Sequence, residues 1–85
     1  MPYIPQEYRR RAAEKPSNSG ELNYAITRIL NGYLEYCARE DGGSSYTHFN
    51  DCLGALEGAK LELQRRVIAP YEDTKMQLNG DVYGS

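Results

Sequence analysis

Apolar residues recur at Phe49, Cys52, Leu53, Leu56, Ala59, Leu63 and Val67, in steps that are mostly three or four. Such steps stack side chains on one side of a helix, so the pattern predicts one long amphipathic helix from Tyr46 to Ala69. Asn50, Asp51, Glu57, Lys60, Glu62, Gln64 and Arg65 mostly fall elsewhere and can stay in water. A second stripe, Leu22, Ile26, Ile29, Leu30, Tyr33, Leu34 and Cys37, predicts another helix from Glu21 to about Arg39. Asn18 or Ser19 can accept from its first free N–H groups, and Asn18 with Glu21 has capping-box spacing. Asp41-Gly42-Gly43-Ser44-Ser45 then breaks the pattern, with glycine available for a left-handed C-terminal cap.

Two amphipathic helices joined by so short a loop are expected to fold back as an antiparallel hairpin. With the loop centred near residues 44–45, Cys37 meets Cys52, Tyr33 meets Leu56, Leu30 meets Ala59, Ile26 meets Leu63 and Leu22 meets Val67. Every pair is apolar on both sides, although the two stripes are read independently. Pro70 cannot continue a helix interior without losing a hydrogen bond, but it suits a first turn, where Glu72 and Asp73 complement the dipole. Residues 70–79 are therefore expected as a short third helix or a kinked continuation, ended by Asn79-Gly80. Pro2, Pro5 and Pro16 punctuate the start, while Gln6 to Lys15 contains good helix formers and can make a short helix or ordered arm.

The expected fold is all-α: an antiparallel helical hairpin with a short third helix and an irregular N-terminal arm. Residues 1–85 make one domain, with the arm at 1–19, helices at 20–40, 46–69 and 70–79, and a tail at 80–85. Eighty-five residues are near the lower limit for a self-sufficient core. A two-helix hairpin leaves apolar edges at this size, so a homo-oligomer is expected, most simply a dimer or an assembly of dimers.

Composition narrows the function. Apolar residues are 40% and charged residues 26%, a globular balance. No apolar run approaches the length of a membrane span, and the N-terminus lacks the apolar core of a secretory signal, so a cytoplasmic protein is the default expectation. A net charge of -2 argues against a general nucleic-acid binder, which needs a basic face. The locally basic arm, with Arg9, Arg10, Arg11 and Lys15, reads either as a solvated segment packing Ile4 and Tyr8 on the core or as a lip over an anionic ligand.

Chemistry-bearing residues are scarce. Cys37 and Cys52 form no zinc-type motif and read as buried small apolar residues rather than a disulfide. His48 is the only histidine, and no nucleophile, P-loop or zinc-protease motif is present. No catalytic residue, metal or cofactor is assigned, and the chain is expected not to be an enzyme. Gly54 and Gly58, with Ala55 and Ala59, form a small-residue patch suited to close helix packing or to the floor of a ligand cleft.

Tyrosine is enriched, with eight against one Phe and no Trp. Tyr24 and Tyr36 lie off the stripe, and Tyr24 shares a face with Arg28. A tyrosine ring with a guanidinium can stack on a planar ligand and bind its phosphate, or anchor an oligomer interface. Arg65-Arg66 with Tyr71 forms a second such group. The candidate ligand-binding residues are thus Tyr24, Arg28, Arg65, Arg66 and Tyr71.

The runs Pro2-Tyr3-Ile4-Pro5, Gly20 to Arg28 (GELNYAITR), Leu56-Glu57 through Lys60-Leu61-Glu62, Arg65-Arg66-Val67, Ala69-Pro70-Tyr71-Glu72-Asp73, Lys75 and Asn79 to Tyr83 (NGDVY) carry a resemblance. The chain resembles a small uncharacterised helical family of bacteria and their phages, across most of its length except residues 6–18 and 37–47. That family implies no catalytic residues. More loosely, the expected architecture is similar to phage anti-defence proteins that sequester cyclic-nucleotide signals, holding phosphates with Arg, Lys and Tyr from adjoining subunits. Two functions are therefore carried: a non-catalytic oligomer sequestering a phosphorylated nucleotide, and a helical adaptor acting through protein contacts alone. A hydrolase is disfavoured by the residue inventory.

Overall fold

The computed structural model describes residues 1–43 and 45–84. Ser44 of the expected loop and Ser85 of the tail lie outside the described residues. The fold is all-α: α1 spans Gln6–Glu14, α2 Ser19–Asp41, α3 Tyr46–Leu63 and α4 Ala69–Asn79, with a wider π turn at Gln64–Ile68 joining the last two. The chain divides into two compact units, Met1–Asn50 and Asp51–Ser85. The two halves of the expected hairpin fall largely in different units.

The first unit is organised by the junction of α1 with α2. Of the two readings of the arm, a short helix or an ordered segment, the helix is the one found, over Gln6–Glu14, so the arm is not irregular there. Pro5 supplies a preset φ just before the first turn, and QEYRRRAAE has no residue that opposes a helix. Arginine density obscures this in the sequence, because the segment has almost no apolar stripe. Its one buried side chain is Ala12, which is fully covered. Small Ala12 on α1 and Ala25 on α2, both buried, let the two backbones approach. Ile4 is half-buried, and the face of Gly20 that lacks a side chain lies towards it. Tyr8 stays exposed.

α2 begins as its cap residues dictate. The Asn18 side chain accepts the Glu21 N–H at 2.9 Å, and the Asn18 carbonyl accepts the Leu22 N–H at 2.8 Å. It ends at Gly42, whose φ of 77° is the left-handed cap that glycine takes without strain. The stripe of α2 divides. Leu30 and Leu34 are half-buried and Cys37 is buried, whereas Leu22, Ile26, Ile29 and Tyr33 are exposed. Tyr36, read from sequence as lying off the stripe, continues that exposed line at regular spacing of four and three.

The second unit is the body of one continuous helix and a short tail. Pro70 does not start a separate helix; the backbone remains helical through it. The Ala69 N–H reaches back five residues to the Gln64 carbonyl. This extra residue per turn is a local answer to Pro70, which has no N–H to donate and whose ring crowds the carbonyl four residues earlier. Gly80, with φ of 93°, ends the helix. Among the described residues of this unit Cys52 is the buried one, and Ile68 is half-buried. Cys37 and Cys52 are both buried and free of a disulfide, as expected.

Candidate functional site

The clearest polar cluster gathers on Glu21, a carboxylate buried at the α1–α2 junction. Arg11 donates to Glu21 Oε2 at 2.6 Å. The Ser17 backbone N–H and hydroxyl donate to Oε1 at 3.0 and 2.8 Å. A capping box would send the Glu21 side chain back to the N–H of the cap residue; here it takes the preceding residue and an arginine from another helix instead. The Arg11 hydrogen bond, then those from Ser17, pull the Glu21 carboxyl down to about 2. Arg11 also donates to the Ser17 hydroxyl at 3.1 Å, so helix, loop and helix share one network.

Arg9 completes the junction. Its Nε donates to the Ile4 carbonyl at 3.0 Å, and its guanidinium stands 5.7 Å from the centre of the Tyr24 ring. The basic arm therefore spends Arg9 and Arg11 on holding itself to α2. Tyr24 is half-buried and already carries a cation over its face, which changes its role from the free stacking platform expected.

The remaining candidates divide between the units. Arg28 is exposed and forms no ion pair with a described residue. In the second unit Arg65 donates to both carboxylate oxygens of Glu62, at 3.0 and 2.9 Å. Arg66 is exposed and uncommitted among the described residues. Tyr71 is exposed, with the Lys75 ammonium 5.6 Å from its ring centre. Each sequence-predicted residue is thus placed, and the pair expected on α2 retains Arg28 alone as an unpaired group.

His48 has partners that a reading of motifs misses. Its Nδ1 accepts the Ser45 backbone N–H at 3.1 Å, and its Nε2 lies 2.9 Å from Asp41 Oδ2. Ser45-x-x-His48 is a capping box with imidazole in place of the usual carboxylate, and Asp41 closes the clip from the last residue of α2. The Ser45 hydroxyl is 3.5 Å from the same Nδ1, whose lone pair the backbone N–H already uses. This arrangement holds the start of α3; it does not prepare a nucleophile.

A groove of about 280 Å³ lies where the tail meets α4. Its lining includes Glu72, Asp73, Asp81, Met76 and Tyr83 and none of the five candidate residues. Three carboxylates against the single ammonium of Lys75 make it a poor host for phosphate. Among the described residues no three His, Cys, Asp or Glu side chains gather as a metal site, and no helix is long and apolar enough to cross a membrane.

What the helices do present is apolar surface. On α2 the exposed line is Leu22, Ile26, Ile29, Tyr33 and Tyr36; on the long helix it is Phe49, Leu53, Leu56, Leu63 and Val67. Ile29 is 69% and Leu53 64% exposed, well beyond the isolated partial exposure usual for such residues. Gly54 and Gly58 have open space where a side chain would begin, so among the described residues nothing packs closely on these two glycines.

The family model described as Domain of unknown function (DUF6899) matches residues 1–82. The chain belongs to this family. No curated protein and no solved structure matches it. The match takes in the arm, all four helices and the start of the tail, so the Arg11–Glu21 junction and both exposed lines lie inside the family's domain.

Proposed function

We propose that this protein is a non-catalytic helical module of the cytoplasm that self-associates and works through protein–protein contacts along its helices. The observation that carries this is the pair of exposed apolar lines on α2 and on the α3–α4 helix. Helices this apolar gain most of their stability from packing, and the short second unit has no internal layer to provide it. The test is multi-angle light scattering over a concentration series, with Ile29→Glu beside the parent protein. A parent oligomer that the variant dissociates supports the reading; a monomer at all concentrations overturns it.

A second reading, sequestration of a phosphorylated, cyclic nucleotide signal in conflict between phage and host, is favoured by Arg28 and Arg66. Both guanidinium groups are exposed and unengaged by described carboxylates, and phosphate is the ligand that a planar cation binds best. Arg65 and Tyr71 would contribute after exchanging their Glu62 and Lys75 contacts for the ligand. A nucleotide at about 100 times its dissociation constant should add about 2.7 kcal/mol to stability. A thermal-shift screen with cyclic mono-, di- and trinucleotides and ADP-ribose derivatives should show that gain in the parent and lose it in Arg28→Ala and Arg66→Ala. Absence of any shift removes this reading and leaves self-association in place.

A further inference from the structure

We propose that Asn79, in the Asn79-Gly80 step that ends α4, is a self-modification site of the folded protein. It passes through a succinimide to aspartate and isoaspartate, while the chain's other such step, Asn31-Gly32, is held back by α2. Asparagine followed by glycine is the pair in which this reaction meets least hindrance, because no Cβ obstructs the glycine nitrogen as it approaches the side-chain amide. The Gly80 backbone nitrogen gives up its proton and bonds to Asn79 Cγ; the Cγ–Nδ2 bond breaks and ammonia leaves. Water then opens the ring at either carbonyl, giving aspartate or isoaspartate. Water is the only co-reactant.

The backbone separates the two steps. A helical conformation at asparagine keeps the next nitrogen away from Cγ, so each step must open before it reacts. Asn79 is the last residue of α4, and Gly80 already leaves the helix at φ 93° and ψ 146°. One bond, from the Gly80 N–H to the Met76 carbonyl at 2.8 Å, holds the attacking nitrogen. Nothing stands within 4 Å of where a Gly80 side chain would begin, and Val82 and Tyr83 beyond it are 88% and 85% exposed. Opening here is the fraying of a helix end, the least costly kind of local unfolding. Asn31 and Gly32 instead lie inside the 23-residue α2, between half-buried Leu30 and Leu34. Freeing Gly32 means breaking backbone bonds in the middle of a helix. Asn18, before Ser19, is held in another way: its Oδ1 accepts the Glu21 N–H at 2.9 Å. Among the described residues the Asn79 side chain makes no such bond. Conversion places a new carboxylate at the negative end of α4, beside Asp81. In isoaspartate the main chain also gains a CH2, which moves the Gly80 N–H out of register with Met76 and reshapes the groove that both residues line.

The experiment ages the parent protein in mildly alkaline buffer and follows both steps by tryptic peptide mapping with mass spectrometry. Cleavage after Arg28, Arg39 and Lys75 puts Asn31 in the peptide 29–39 and Asn79 in the peptide 76–85. In the folded protein Asn79 should convert at least about tenfold faster than Asn31, the difference between a fraying end and a helix interior, and should yield both aspartate and isoaspartate. In concentrated urea, which removes both helices, the two rates should draw together. Asn79→Gln keeps an amide on a good helix former but would have to close a larger ring, so it should lose the acidic species that the parent accumulates. Equal rates in the folded protein, or faster conversion of Asn31, overturns the proposal. So does an Asn79 that stays intact in the folded chain while both steps convert in urea. Aspartate formed without isoaspartate overturns the succinimide route.

Discussion

At the scale of single residues, Glu21 is the side chain on which the first unit depends. It receives three hydrogen bonds from Arg11 and Ser17 and sits at the positive end of α2. Its carboxyl, normally near 4.5, is lowered to about 2 in the folded chain. A lowered value means that the network adds stability above about pH 4.5 and loses it as the pH falls from there towards 2. Methyl resonances of Ala12 and Ala25, followed against pH, should report α1 leaving α2 across that window. In Glu21→Gln that acid dependence should be largely gone, and an arm that stays docked unchanged down to pH 2 contradicts the linkage. The neighbouring cap is a separate term. Asn18→Ala removes the acceptor for the Glu21 N–H and should cost about 1 kcal/mol in urea denaturation.

At the scale of elements, the helices were legible because their apolar spacing is regular and their caps are of ordinary types. Asn18 and Gly42 occupy the expected positions, and both cysteines are buried. The arm was harder. Gln6–Glu14 has no stripe to betray it, and its helix is held by an arginine ten residues from its carboxylate, a contact across a loop that spacing rules do not encode. The His48 clip was missed for a related reason: imidazole replaces the carboxylate of a familiar cap, and Asp41 joins it from the other side of the loop. At Pro70 two outcomes were open, and the helix continues because a π turn absorbs the missing donor. Among the candidate site residues, sequence could mark Tyr24 as aromatic beside Arg28 but could not show that Arg9 already covers its ring.

The glycines of α3 allow an element-scale prediction. A side chain at Gly54 or Gly58 would meet open space, and both lie on the side of the helix away from Leu53, Leu56 and Leu63. Each Gly→Ala change should therefore stabilise the protein, by about 0.5–1 kcal/mol, through helix propensity alone. Thermal denaturation read by circular dichroism measures this directly. A loss of stability, or a change in oligomer size, would show that this opposite face packs closely against another backbone.

At the scale of the whole molecule, the balance of apolar and polar positions favours an assembly. The chain is too short to surround two amphipathic helices with further layers, and it presents matching apolar lines on both. Polar substitution on either line should act alike, because each copy uses both. Ile29→Glu and Leu56→Glu are each expected to shift the monomer–oligomer equilibrium by at least about tenfold, the equivalent of 1.4 kcal/mol. The most direct measurement is light scattering of the parent protein, Ile29→Glu and Leu56→Glu from low micromolar concentration upwards. The expected result is a parent mass of at least two chains and a marked loss of assembly in both variants. A parent that remains a monomer throughout, with its helices intact, would contradict it.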